Sequence, residues 1–246
     1  MTTSPANAGK LKRKSAVRAR ASADSTEMLL LTAQRLFAER GIDAVSLREI
    51  AREAGQLNNS ALHYHFGSKD ELIRAILVRG MQKIDALRKE YIERIVAMGR
   101  QGEVRAIAEA IVWPLASGLV NEQMSTYNRF FANAQIHPDI DLAAPRSEEA
   151  DIGFRRTMEL LEPLLPHLPS VVLRQRFLSG ISFVIFSLAD FERIKLRRDK
   201  SKRSFDLQRA IDNLVDMLCG ALQAPVSEQV TQRLNENNLR VDQKIA

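Results

Sequence analysis

Cysteine, histidine and catalytic motifs are all scarce in this chain, and each scarcity excludes something. The single cysteine, Cys219, rules out an internal disulfide framework and any multi-cysteine metal site, which fits a reducing compartment; within LVDMLCGAL it reads as a small core residue. The four histidines are scattered. His63 and His65 are two apart and project about 200° from each other on a helix, so they cannot share one metal ion, and His137 and His167 adjoin prolines. There is no glycine-rich phosphate loop after a strand, no G-x-S-x-G and no H-E-x-x-H. A protein that is not an enzyme, with no cofactor and no metal, is therefore expected. No uninterrupted apolar run approaches the ~20 residues that span a bilayer, and the N-terminus lacks a signal-peptide hydrophobic region; a cytoplasmic location with no membrane partner follows as an expectation. Aromatics make up only 6% and charged residues 27% of 246 residues, with 11 Gly and 8 Pro, a balance that favours helices and a chain long enough for one or two domains.

What is present is concentrated between Ser46 and Glu71, SLREIAREAGQLNNSALHYHFGSKDE. Ser46 with Glu49 has the spacing of a capping box, in which hydroxyl and carboxylate each take a free backbone N–H at a helix start. Leu47, Ile50, Ala51 and Ala54 follow as one apolar stripe, and Gly55 can take the left-handed conformation that stops it. Asn58 suits a second cap, before a short helix in which Ala61, Leu62, His65 and Phe66 share one side and Asn59, Ser60, His63 and Tyr64 the other. Gly67 ends it, and Ser68 with Glu71 repeats the box and opens a longer helix. Two short glycine-punctuated helices followed by a third form a helix-turn-helix plan. Amide, hydroxyl and imidazole side chains on the exposed side can read base edges in a major groove; Arg48 and Lys69, each at a helix start, are placed to contact DNA, Lys69 through a phosphate. The alternative is a polar surface on a small helical hairpin.

From Ala33 to Ile73, AxRLFAERGIDAVSLREIAREAG followed by ALHYHFGSKDELI resembles the N-terminal domain of the TetR family of transcriptional regulators. The resemblance covers about fifty residues and departs from the family by one extra residue in the turn at Gln56-Leu57. Anchored on Leu62, His65, Phe66 and Lys69, it implies that Asn59, Ser60 and His63 read bases, with Asn58 at the start of the same helix. It implies the same for Arg48, and sugar-phosphate contacts for Tyr64, His65 and Lys69.

The net charge of +6 is local: Lys10, Lys12, Arg13, Lys14, Arg18 and Arg20 lie in residues 1–23 with no acid, and the rest of the chain balances to zero. This arm lacks apolar periodicity and is expected to be disordered when free. Beside a DNA-binding head it suits a minor groove or phosphate backbone; a solubilising tail is the alternative.

In the head, Leu36 and Phe37 of a first helix beginning near Asp24 are expected to pack on Ile50, Leu62 and Phe66. That core is too small to stand alone and needs the helix after Ser68, which the pattern carries to Gly99 with a weak point at Gly80. As the joint between head and body, this helix is the natural lever for a ligand signal. A helix over 103–120 passes through Trp113-Pro114, where proline removes a backbone bond; another ends near His137-Pro138, DIDLAAPRSEE reads as a loop, and a helix over 147–162 precedes PLLPHLP. Trp113, Met124, Tyr127, Phe131, Phe154, Met158 and Phe183 are candidates to line an apolar pocket, or else are plain core. The stretch FLSGISFVIFSLADF is apolar on both sides of a helix and must be covered on both. Phe177, Ile181, Val184 and Leu188, with Ile211, Leu214 and Leu218 of a helix over 205–222, are expected to build a four-helix dimer interface; the alternative is a central helix in a monomer.

The expected fold is all-α, with an N-terminal three-helix helix-turn-helix DNA-binding domain (24–72) and a larger helical ligand-binding and dimerisation domain (73–225), about nine helices, then a polar tail (226–246). The expected function is a homodimeric DNA-binding repressor, released from a palindromic double-stranded operator by an apolar or aromatic small-molecule effector. The alternative is a constitutive architectural DNA-binding protein.

Overall fold

The computed structural model describes residues 24–55, 60–120, 126–140, 152–198 and 205–245, and among them all regular structure is helical. Helix α1 (24–40), α2 (Leu47–Glu53) and α3 (Ser60–Phe66) make the head. The body comprises α4 (Lys69–Ala97), α5 (Val104–Val120), α6 (Tyr127–Gln135), α7 (Ile152–Leu161) with a 3₁₀ turn at Glu162–Leu164, α8 (Ser170–Arg198), α9 (Leu207–Gln223) and α10 (Glu228–Ile245). The expected all-α class and head-plus-body plan hold. The basic arm, Asn58, Asn59, the turn at Gln56-Leu57, Met124 and most of DIDLAAPRSEE lie outside the described residues.

The head follows from its punctuation. Ser46 Oγ accepts the Glu49 N–H (3.2 Å) and Ser68 Oγ the Glu71 N–H (3.1 Å), each a cap of about 1 kcal/mol. The carboxylates do not complete the boxes; Glu49 is engaged by Arg40 and Glu71 by Arg74. Gly55 and Gly67 both adopt φ 71°, a conformation costly for residues with a Cβ. Leu36, Phe37, Ile50 and Leu62 are buried with Phe66 packed against them, and Leu72, Ile73 and Ile76 of α4 close the same core. Head and lever are thus one packed unit.

Helix α4 runs unbroken through Gly80, so the expected weak point is instead a notch. A Cβ there would lie 2.0 Å from the buried Tyr127 ring, whose hydroxyl donates to the Leu77 carbonyl (3.2 Å). In the body α6 lies along α8, α5 packs on both α4 and α9, and α7 packs on α4; α5 continues through Pro114.

The expected dimer stripe is corrected. Phe177, Val184, Leu188, Ile211, Leu214 and Leu218 are at most 3% exposed within the single chain, and Ile181 is half-buried against the same core. They face inward because α8 and α9 meet one another along these stripes, at a closeness Gly180 permits: its Cβ would sit 2.7 Å from Leu218 Cδ1. The outward side of the pair carries Leu178, Phe186 and Met217 beside exposed Gly220 and Ala221. With apolar residues on both faces, α8 alone among the described helices is long and apolar enough, by length and composition, to cross a bilayer. The tail forms α10, with its described side chains exposed apart from half-buried Leu234.

The notch makes a prediction. Gly80→Ala gains ~1 kcal/mol of helix propensity but overpacks Tyr127, so urea unfolding should show a net loss of ~1–3 kcal/mol. In a Tyr127→Ala background the same substitution should cost nothing; an equal cost in both backgrounds would remove the notch as the reason for the glycine.

Candidate nucleic-acid interface

Capping places the candidate DNA contacts. Arg48 is the second residue of α2 and is exposed; Lys69 is the first residue of α4, directly after the Ser68 cap. Ser60 and His63 belong to α3, the second helix of the motif. Tyr64 is 85% exposed, and its ring meets the edge of His65 at 5.2 Å. His65 is half-buried and leans back on α1, with Nδ1 3.4 Å from Thr26 Oγ1, so it presents less of its ring to a phosphate than the sequence implied.

Charge pairing separates these residues from their neighbours. Arg35 pairs with Glu39 and Glu53, Arg40 and Arg52 with Glu49, Arg74 with Glu71, and Arg79 with Glu27. Arg48 pairs with no carboxylate among the described residues. The Lys69 ammonium lies over the Phe37 ring, 5.8 Å from its centroid, a contact that leaves its charge available. Nearby, the Asp43 carboxyl is held below the usual carboxylate range, first by its hydrogen bond with His137 Nε2 (3.0 Å), then by the His137 and Lys69 charges.

Asp43 belongs to a wider seam that sequence reasoning missed. From α6, Arg129 Nη2 donates to the Ala38 carbonyl (2.7 Å) and Asn133 Nδ2 to the Phe37 carbonyl (3.0 Å). Gln34 of α1 donates to Thr126 Oγ1 (3.0 Å). The signal was there: Arg129, Asn133 and His137 recur every four residues, the first two on one side of α6 and the third just beyond its end. Tyr127, Phe130 and Phe37 continue the seam as aromatic contacts 6.1 Å apart.

The pocket candidates are spread through the body core. Tyr127 and Phe131 are buried and adjacent (5.7 Å), and Phe154 packs on Phe177 (5.1 Å). Trp113, Met158 and Phe183 are half-buried against the same core. Among the described residues, no three His, Cys, Asp or Glu are grouped to hold a metal ion.

A helix-turn-helix head whose core is completed by the first long helix of an all-α body defines a two-part helical regulator. Residues 29–76 match the model for bacterial regulatory proteins of the tetR family, and residues 109–221 the tetracyclin repressor-like C-terminal domain; the chain belongs to the TetR family. It is 46% identical over 87 residues to the HTH-type transcriptional repressor KstR2 of Rhodococcus jostii, a match spanning 35% of this chain and only 39% of that protein. It is 29% identical over 142 residues to the HTH-type transcriptional repressor Rv3405c of Mycobacterium tuberculosis, 56% of this chain and 73% of that one. The crystal structure of a TetR-family transcription regulator from Shewanella sp. PV-4 shares the fold, with a TM-score of 0.57 at 16% identity over 80% of this chain and 97% of that chain.

Removing an unpaired cation should cost more than removing a paired one. Arg48→Ala is expected to weaken binding to a preferred duplex by ~1–3 kcal/mol, and Lys69→Ala to weaken all duplexes while lowering the salt slope by about 0.9. Arg52→Ala, which loses exposed ion pairs, should change binding little. Fluorescence anisotropy titrations across salt concentrations measure all three, and equal losses for Arg48 and Arg52 would deny the interface.

Proposed function

We propose that this protein is a DNA-binding transcriptional repressor that acts in the cytoplasm as a homodimer and leaves a palindromic operator when an apolar or aromatic small molecule binds the body. One observation carries the reading. In a head where the surrounding arginines form ion pairs with carboxylates, Arg48 has none among the described residues, and Lys69, over the Phe37 ring, meets only the long-range field of Asp43; the two bracket the second helix of the motif. Asn59, Ser60, His63 and Arg48 are assigned to base contacts, with Asn58 at the start of the same recognition helix, and Tyr64, His65 and Lys69 to the sugar-phosphate backbone. Both named bacterial relatives are repressors, which supports that sign of regulation.

Dimerisation is assigned to the outward side of α8 and α9. Leu178, Phe186 and Met217 are 51%, 40% and 51% exposed, and with Gly220 and Ala221 they allow close approach of a second copy, giving the self-complementary contact of a two-fold dimer. The heads would then meet successive major grooves about one helical turn apart. Trp113, Met124, Tyr127, Phe131, Phe154, Met158 and Phe183 are assigned to the effector. Its binding favours an arrangement of heads that does not fit the operator, lowering affinity by ~1–3 kcal/mol.

The test is selection of bound sequences from random duplex DNA with the full-length protein at physiological salt, repeated without residues 1–21. A single palindrome from both is expected; enrichment of no motif, with binding lost alongside the arm, would leave only non-specific DNA association. Phe186→Glu should give a monomer in analytical ultracentrifugation and weaken binding to the palindrome by ~10²-fold through lost bivalency, while the paired control Arg105→Ala stays dimeric.

A further inference from the structure

Glu192 stands out because a carboxylate is rarely buried so completely. It lies on α8, one turn beyond Leu188 on the apolar stripe, and is 1% exposed. Its Oε1 accepts the Asn128 N–H and its Oε2 the Arg129 N–H, both at 3.0 Å. These are the first-turn donors of α6, which have no partner within their own helix. The Asn128 side-chain amide also lies against the carboxyl. Its Nδ2 donates to the Leu115 carbonyl, and its Oδ1 is buried with no hydrogen-bond partner among the described residues. Arg129 completes the path: its backbone is held by Glu192, and its guanidinium holds the Ala38 carbonyl of the head.

We propose that Glu192 is a positioning residue for DNA recognition, fixing the start of α6 so that Arg129 and Asn133 hold the last turn of α1 and thereby the orientation of the head. This rests on the DNA-binding reading. The pin is proton-linked. Burial pushes the Glu192 carboxyl up to about 8 from an ordinary 4.5, against the opposing pull of the Arg129 and Asn128 N–H groups and the Arg129 charge. Near neutral pH burial therefore favours the protonated carboxyl, while the N–H groups at the start of α6 favour the ionised one. Arg129 is the charged group facing it from α6; Arg193 and Lys195, its neighbours on α8, are engaged with Asp190 and the Leu119 carbonyl.

The sign follows from linkage. A carboxyl with a raised folded pKa binds more protons when closed than when opened to water, so closure is fully favoured below 4.5 and weakens as pH rises towards 8, by up to about tenfold per unit. Rising pH therefore loosens α6 and, through it, the head.

Hydrogen exchange of the full-length protein without DNA, corrected for intrinsic rates between pH 6 and 9, reads this directly in two segments. Residues 127–135 report α6, and residues 36–43 report the end of α1, where the Gly41 N–H bonds the Phe37 carbonyl. Protection in both should fall several-fold with rising pH in the wild type and stay flat in Glu192→Gln, which keeps the shape and cannot ionise. Arg129→Met should keep the pH response of α6 and lose that of α1. Operator affinity should fall with pH in the wild type and not in Glu192→Gln. Equal pH responses in wild type and Glu192→Gln, or a response in α6 with none in α1, would overturn the proposal, as would a head that loosens while operator affinity stays constant. If Glu192→Gln fails to fold, the wild-type and Arg129→Met profiles decide alone. Absence of any preferred DNA sequence would defeat the regulatory reading, and the two exchange segments would still report whether Glu192 positions the head.

Discussion

Each α-helix leaves four N–H groups at its start and four carbonyls at its end without partners in the helix itself, and burying them unpaired is costly. In this protein those groups are repeatedly taken by side chains from other helices. Glu192 of α8 closes the start of α6, and Asp85 of α4 closes the start of α7 by accepting the Gly153 and Phe154 N–H groups at 3.1 and 3.0 Å. At the other ends, Arg129 and Asn133 close α1, Arg176 binds the Leu222 carbonyl of α9 at 3.2 Å, and Lys195 binds the Leu119 carbonyl of α5 at 3.0 Å. The carboxyl groups meet N-termini and accept, while Arg129, Arg176 and Lys195 meet C-termini with Asn133 as a neutral partner, and for the cations this is the arrangement that helix dipoles favour by up to ~2 kcal/mol when partly buried.

Caps of this kind tie one helix to the axis of another, so they determine which motions are shared. Gly153 shows how tight the fit is: a Cβ there would lie 2.8 Å from Asp85 Oδ1. α7 is thus held against α4, and α4 is held against α6 by Tyr127 in the Gly80 notch. α6 in turn reaches the head, which shares its core with α4. Buried charged groups are weak sources of net stability because desolvation offsets their attraction. Their effect here is geometric, since a displaced carboxyl group leaves two helix N–H groups unsatisfied, which favours discrete arrangements over gradual ones.

This explains which parts of the structure could be read from residues in order. Ser46, Ser68, Gly55 and Gly67 act within four residues of themselves, and each produced the helix start or stop its spacing implied. The stripes of α8 and α9 were also legible as stripes. Their direction was not, because a helix apolar on two sides does not say which side meets its own chain, and the inward choice was set by Gly180 against Leu218. Gly80 misled for a similar reason: a glycine that weakens a helix and one that admits a neighbouring ring look alike until Tyr127, 47 residues later, is in place. Of the candidate DNA contacts, Arg48 and Lys69 could be picked out from their positions at helix starts. That Arg48 has no ion pair among the described residues while Arg35, Arg40 and Arg52 do depends on where acids of the neighbouring helices fall.

The same pairing limits where DNA affinity can come from. Outside residues 1–23 the chain carries as many acids as Lys and Arg, and the head's arginines beyond Arg48 are largely neutralised by contacts with Glu27, Glu39, Glu49, Glu53 and Glu71. A head of this kind contributes few released counterions, so its binding should depend on fit more than on bulk attraction. The arm, with six cations and no acid, has the opposite composition, the kind that attracts a phosphate backbone without selecting register. The placement of α2 and α3 within the head is fixed by the core that α1 shares with α4, and α6 holds two carbonyls at the end of the same α1.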